Sequence, residues 1–220
     1  MKEILTVSEY SFPYTDLHFP GMNSGEKILF VTREAHTMFW LRLISLKIVV
    51  LSLLGLGLLF IHLASSYISS AGLLLVGLVI LCGVILVGGF WWISQTYRKS
   101  VFIITTRRLT KIIYTTPFTW YQFSLGLDEI ADTGSYSSSY FEALFHLGYF
   151  VARSGAAAVK NFKIVNITFS ADLHNYVNKL LYAFKHHPEK IDTFRPFIPF
   201  LKGEKRKDFL KEYPEYKTEF

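Results

Sequence analysis

Residues 48–97 read IVVLSLLGLGLLFIHLASSYISSAGLLLVGLVILCGVILVGGFWWISQTY and contain no Asp, Glu, Lys or Arg. As one helix rising about 1.5 Å per residue, this run would extend roughly 75 Å, whereas the hydrocarbon core of a bilayer is about 30 Å thick. The run therefore predicts two membrane-spanning helices, over residues 39–63 and 71–93, joined by a turn within residues 62–72. The alternative is a buried helical hairpin in a soluble protein, but apolar runs of this length are typical of membrane proteins.

Basic residues on both sides of this run predict how it is oriented in the membrane. They are Lys27, Arg33, Arg42 and Lys47 before it and Arg98, Lys99, Arg107, Arg108 and Lys111 after it. The turn between the helices has no charged residue, so the positive-inside rule places both chain ends in the cytoplasm. We therefore expect a multi-pass protein with two spans and with its N- and C-termini on the cytoplasmic side.

The predicted inner ends of both helices carry residues that favour the membrane interface. Trp40, Trp91 and Trp92 match the aromatic belt expected there. Arg42 and Lys47 have side chains long enough to reach the headgroups from within the first turns of the first helix. We interpret all five as interface anchors, and the alternative for Lys47 is an ion or substrate site within the membrane.

Glycines in the second predicted helix form two pairs, each eleven residues apart. The pairs are Gly72 with Gly83 and Gly77 with Gly88. Residues at this spacing lie near one helical face, and small residues let helices approach closely. The spacing predicts packing inside the hairpin, and dimerisation is the alternative.

The flanking segments predict a soluble portion rich in short strands. Residues 1–38 form a lead that ends in an extended segment, GEKILFV, and residues 98–187 contain six β-prone runs followed by an amphipathic helical pattern. The runs cover residues 101–105, 109–114, 118–125, 127–132, 147–153 and 162–169. Ser170 is the predicted N-cap of the helix and Pro188 ends it. The fold class is thus α+β, with a small barrel or sandwich beside the helical hairpin.

Residues 188–220 differ in composition and are predicted to be a separate tail. The tail contains FRPFIPF at residues 194–200, a basic stretch KGEKRK at residues 202–207, and a short helical pattern near residues 204–213. Such a segment can wrap its own domain, dock a partner or be partly disordered.

The order of these segments resembles that of the bacterial membrane-flanked pleckstrin-homology-like (PH-like) domain proteins. The segment Ile103 to Leu109 is similar to the family's strand–turn–strand with its T-x-x-R-L pattern, and the runs at Leu127 and Gly148 match later elements. The resemblance covers about residues 25–187, and the tail departs from the shortest family members. It implies a partly open barrel of about seven strands capped by a C-terminal helix, in the bacterial cytoplasmic (inner) membrane.

Catalytic, cofactor and metal signatures are absent from the sequence, so we expect a protein that is not an enzyme and has no cofactor. Phosphate-loop, dinucleotide, HExxH and CxxC motifs are all missing. Asp128, Glu129 and Asp132 suggest a carboxylate or metal site, but we interpret them as solvated strand and turn residues, since no nearby His or Gly-rich loop completes a site. His186 and His187 point about 100° apart on a helix and favour a helix C-terminus over a metal site.

The remaining candidate surface is basic. The chain after Tyr97 has 18 basic and 12 acidic residues, whereas the part before it is balanced. Basic residues near an anionic leaflet contribute about 1 kcal/mol each, so Arg98, Lys99, Arg107, Arg108 and Lys111 predict contact with anionic lipid headgroups. The alternative role for them is determination of topology alone. Nucleic acid is not an expected partner, since the charge excess is small.

These features lead to one main hypothesis about function and two others. The main one is a membrane-anchored binding or scaffold module at the inner face of the membrane, which contacts lipid headgroups or a protein partner. The first alternative is a structural subunit of a larger complex or homo-oligomer, joined through a barrel edge or residues 188–220. A transporter or enzyme fragment is the third, although two helices are few for a transporter built from repeats.

Overall fold

The computed structural model describes residues 2–4, 17–64, 71–137, 140–145, 147–155, 161–198 and 203–216. The chain divides into two compact units. The helical unit comprises Glu34–Ser100 and Ile113–Tyr121, and the sheet unit comprises Met1–Arg33, Val101–Ile112 and Gln122–Phe220. Each unit is described by itself.

Two long helices dominate the helical unit and confirm the predicted pair. Helix α1 is His36–Ala64 and helix α2 is Ala71–Lys99, each of 29 residues. The end of α2 lies six residues beyond the predicted end, because the polar residues after Ile93 continue the helical hydrogen bonding; the Ser100 amide, for instance, donates to the Thr96 carbonyl at 3.2 Å. Most of the predicted turn, residues 65–70, lies outside the described residues.

The helices pack at glycines other than those predicted. A Cβ atom added at Gly57 of α1 would lie 2.6 Å from the methyl carbons of Leu78, and one added at Gly89 of α2 would lie 2.7 Å from a Leu46 methyl carbon. By contrast, an added Cβ would meet nothing within 4 Å at any of the predicted positions, namely Gly72, Gly77, Gly83 and Gly88. The prediction that these four pack inside the hairpin is therefore wrong, because they do not face α1.

A four-stranded antiparallel sheet begins in the lead. Its strands, in sheet order, are β3 (Ile28–Thr32), β4 (Val101–Thr105), β5 (Arg108–Tyr114) and β6 (Trp120–Gly126). Four consecutive residues of β3 are buried, so this strand requires a pairing partner. That partner is β4, which follows the helical hairpin in sequence, and Thr32 pairs with Phe102. The described part of the lead up to Arg33 thus belongs to the sheet unit. Two-residue strands β1 (Lys2–Glu3) and β2 (Leu17–His18) pair in parallel beside it.

A three-stranded antiparallel sheet follows, with a helix packed on it. Its strands are β7 (Ile130–Tyr136), β8 (Gly148–Ser154) and β9 (Phe162–Ile167), with the short helix α3 (Tyr140–Leu144) between the first two. Strand β7 starts three residues later than predicted, because residues 126–129 form a turn closed by the Glu129 amide and the Gly126 carbonyl at 3.2 Å.

Helix α4 (Ser170–His186) buries Leu173, Val177, Leu180 and Leu181. This is the apolar face that its sequence spacing predicts. Its N-cap is Phe169, which makes no side-chain capping bond, so the prediction of Ser170 as N-cap is wrong. The two sheets do not close on each other in the described part of the chain, and a barrel is not confirmed.

The described part of the tail packs on its own unit. A 3-10 helix (Pro188–Thr193) follows α4, and α5 (Gly203–Glu212) matches the predicted short helix. Between them, the buried Phe197 donates its amide to the Leu29 carbonyl at 2.9 Å and packs its ring on Phe30, 4.8 Å between centroids. Of the three predicted possibilities, the described residues show wrapping.

Candidate membrane-facing surface

The surface of the helical unit is apolar and uncovered. In the most apolar 18-residue window of each helix, only 6% of the residues are buried. A core helix of a soluble protein would bury most of that window. At about 1.5 Å per residue each helix is roughly 43 Å long, enough to cross a hydrocarbon core of about 30 Å and reach both interfaces. The two helices are therefore long and apolar enough to cross a membrane.

The predicted anchors lie on these helices in two different states. Trp40, Trp91, Trp92 and Lys47 are exposed, as interface anchors would be. The guanidinium of Arg42 instead donates to the Glu34 carboxylate at 2.6 Å. The Tyr97 hydroxyl donates to the Glu34 backbone carbonyl at 3.2 Å, and this hydrogen bond links the start of α1 to the end of α2.

Arg98 and Lys99 form the last turn of α2, where a positive charge complements the helix dipole. The side chain of Arg98 is exposed. The amine of Lys99 donates to the Pro117 carbonyl at 3.4 Å and lies 5.3 Å from the centre of the Tyr114 ring. Of the two, Arg98 is the side chain that points to solvent and is available to a ligand.

In the sheet unit, the adjacent arginines of the β4–β5 turn differ completely. Arg107 is exposed. The guanidinium of Arg108 donates to both carboxylate oxygens of Glu26, at 3.0 Å each, and to the Gly21 carbonyl, and it lies over the Phe19 ring. The side chain of Arg108 is 21% exposed and that of Glu26 is 0% exposed. Arg108 is thus occupied by an internal ion pair.

Thr105 completes this ion pair and explains the spacing of the T-x-x-R pattern. Its hydroxyl donates to Glu26 at 2.6 Å and accepts the amides of Arg107 and Arg108, at 3.2 and 3.0 Å. Burial raises the pKa of Glu26. Its pKa nevertheless lies below the ordinary value, because the hydrogen bonds from Arg108, Thr105 and the Asn23 amide and the charge of Arg108 lower it by a larger amount. The carboxylate is therefore charged at neutral pH.

The last predicted contact residue, Lys111, stands over aromatic rings. Its amine lies 5.4 Å from the centre of the Phe123 ring and 5.6 Å from that of Phe162. Such cation–π contacts hold an amine on its own protein surface. Of the five predicted contact residues, then, Arg98 and Arg107 have the most accessible charges.

The suggested carboxylate and histidine sites do not assemble into a metal site in the described residues. Asp132 pairs with Arg153 at 3.1 Å, and His187 lies 3.5 Å from Glu189. No cluster of three or more His, Cys, Asp or Glu side chains is found there. Asp128 and Glu129 are exposed turn residues.

Two features of functional interest were missed at the sequence level. Glu26 belongs to no recognisable sequence motif, and its partner Arg108 is 82 residues away in sequence. Residues 118 and 119 were predicted as the start of a strand, whereas in the structure they belong to the loop that begins after Tyr114, and β6 starts at Trp120.

Comparisons of the chain with models of protein families, with curated proteins and with solved structures find no match. The resemblance to PH-like domain proteins thus rests on the sequence segments alone and stays a prediction.

Proposed function

We propose that this protein is a membrane-anchored binding or scaffold module at the inner face of the bacterial cytoplasmic membrane, with α1 and α2 as its anchor. The observation that carries the proposal is the pair of 29-residue helices whose most apolar windows are almost wholly exposed. Leaving that much apolar surface in water is strongly unfavourable, and a bilayer covers it at the matching length.

The strand order supports a PH-like arrangement for the sheet unit. The four strands of one sheet, the three strands of the other and the helix α4 after them agree with the seven strands and C-terminal helix that the family resemblance implies. The helical hairpin follows the first of these strands. A PH-like module offers a binding surface and needs no catalytic group, which agrees with a sequence that carries no catalytic motif.

Headgroup contact is assigned to the accessible charges. Arg98 and Arg107 are exposed, whereas Arg108 and Lys111 are engaged within the sheet unit. Each arginine that lies near an anionic leaflet favours anionic lipid by about 1 kcal/mol.

Membrane insertion and orientation are tested together by cysteine labelling of the full chain in cells. Cys82 is replaced by Ala, and a single cysteine is introduced by Ser66→Cys in the predicted turn or by Lys207→Cys in α5. An impermeant maleimide should label the first variant in intact cells and the second only after permeabilisation. Release of the protein from the membrane by alkaline carbonate would contradict the anchor. The opposite labelling pattern would contradict the orientation of the anchor.

Headgroup preference is tested by the lipid that the full chain retains. The protein is reconstituted in vesicles of equal anionic and zwitterionic lipid, extracted in mild detergent, and its bound lipid is measured by native mass spectrometry. Arg98→Glu with Arg107→Glu should lower the anionic fraction, whereas the charge-matched control Lys179→Glu with Lys207→Glu should not. An unchanged fraction of anionic lipid would indicate that the two arginines determine topology alone. A stable oligomer in the same spectra would favour the alternative of a structural subunit.

A further inference from the structure

The loop between β5 and β6 presents aromatic rings to the outside. Phe118 at its tip is 78% exposed, and Trp120 and Tyr121 just after it are exposed by about half. Trp120 and Tyr121 are consecutive residues of β6 and point to opposite faces of that strand, so the patch is assigned to Phe118 and Trp120. Single exposed aromatic residues are ordinary, but two neighbouring exposed rings favour a covering partner.

This loop belongs to the helical unit and lies along the end of α2. The Phe118 ring packs 5.9 Å from that of Trp91, and the Pro117 carbonyl accepts from the Lys99 amine. Trp91 and Lys99 are eight residues apart, which is about 12 Å along the helix axis. The Phe118 ring therefore packs about two turns before the end of α2.

The backbone of residues 115–119 has its hydrogen-bond donors satisfied within the loop. The amides of Thr115 and Thr116 donate to the Thr119 carbonyl at 3.1 and 3.3 Å, and Pro117 has no amide hydrogen. The Thr116 hydroxyl accepts the amides of Phe118 and Thr119 at 3.2 and 2.9 Å. A loop can enter an apolar medium only when its polar backbone groups are paired in this way.

We propose that residues 115–119 dip into the boundary between lipid headgroups and acyl chains, where Phe118 and Trp120 form a third membrane contact beside the two helices. This inference rests on the proposed membrane position of α1 and α2. The occupant is lipid because the patch is continuous, through Trp91, with the uncovered apolar surface of α2. Amphipathic rings suit this depth, and the Lys99 amine sits where headgroups would be.

Fluorescence quenching in vesicles tests the depth of the loop. In the full chain, Trp40, Trp91, Trp92 and Trp120 are replaced by Phe and a single reporter is introduced by Phe118→Trp. A reference variant keeps Trp92 alone and reports on α2. Each is reconstituted in vesicles whose lipids carry bromine near the headgroup end or near the far end of the acyl chain, and in unbrominated vesicles with aqueous iodide.

The proposal expects the reporter at position 118 to lose most of its emission to bromine near the headgroup end, less to bromine at the chain end, and little to iodide. Strong iodide quenching without bromine quenching, while Trp92 is quenched by bromine, would overturn the loop insertion and leave the anchor intact. Resistance of the reporter at position 118 to all three quenchers would also overturn the loop insertion and would indicate that protein covers the loop. If Trp92 also escapes bromine, the membrane position of α2 fails and the loop proposal with it.

Discussion

At the residue scale, the charged groups of the sheet unit divide into those that hold the fold and those that are exposed. Glu26 and Arg108 form the clearest case of the first kind, since a fully buried carboxylate is held by a bidentate guanidinium and by Thr105. Arg107, one residue away, is exposed. The two adjacent arginines thus have different roles, because the side chains of consecutive residues point in different directions.

Removal of the Arg108 side chain is expected to destabilise the protein far more than removal of Arg107. Arg108→Leu leaves the Glu26 charge buried and unpaired, which costs on the order of 3 kcal/mol. Arg107→Leu changes an exposed site and should stay within about 0.5 kcal/mol. Thermal unfolding of the full chain in detergent measures both, and equal losses for the two variants would contradict the assignment.

The Glu26 carboxylate is also expected to make stability depend on pH. Because its pKa is lowered in the folded protein, its charge stabilises the fold fully above the ordinary glutamate value of about 4.3, and this contribution is lost as the pH falls through the lowered pKa. Glu26→Gln should therefore be less stable than the wild type at neutral pH, and the difference should shrink in acid. A difference that stays constant across that range would show that the charge is irrelevant.

At the element scale, the hairpin of α1 and α2 depends on two close approaches rather than on a glycine stripe. At Gly57 and Gly89 a leucine of the other helix occupies the space that a side chain would need. At Gly72, Gly77, Gly83 and Gly88 an added Cβ would meet nothing within 4 Å, so these four positions are open. Dimerisation through them, the alternative given by their spacing, stays a prediction.

A leucine at Gly57 should therefore disturb the hairpin, whereas one at Gly55 should not. Gly57→Leu forces Leu78 and the helix axes apart, with an overpacking cost of about 1–3 kcal/mol. Gly55 lies two residues away in the same helix and has nothing within 4 Å of an added Cβ, so Gly55→Leu is the matched control. Melting temperatures in detergent compare the two, and a lower value for the control would contradict the packing.

At the scale of the whole molecule, the helical hairpin is an insertion between paired strands. Thr32 at the end of β3 lies opposite Phe102 near the start of β4, although 70 residues separate them in sequence. The sheet unit is therefore discontinuous in sequence, and the described tail adds to it through Phe197.

Removal of the insertion is expected to leave a soluble protein that keeps this sheet. Replacing residues 34–100 with Asn-Gly joins β3 and β4 by a two-residue turn of the type that hairpins prefer. The product should stay in solution without detergent and show protected amides at Phe30 and Ile103 in hydrogen exchange. Aggregation or loss of that protection would indicate that the sheet requires the helices.

Much of the secondary structure was accessible from the sequence, because its causes are local. The charge-free run predicted both helices, and the β-branched run at residues 101–105 predicted β4 with its observed bounds. The start of β7 was misplaced, since a turn at Gly126 competes with the strand pattern. The glycine prediction failed because spacing along a helix does not reveal which face meets a neighbour.

The sequence by itself determined that two apolar helices interrupt a strand-rich chain and that basic residues flank them, because hydrophobicity and charge are read residue by residue. Only the tertiary structure decided which charges are free. Strand pairing brings Glu26 to Arg108 across 82 positions and removes that arginine from the candidate surface, whereas Arg98 and Arg107 remain exposed. It also brought Phe118 beside Trp91, since the partner of a side chain depends on the path of the whole chain.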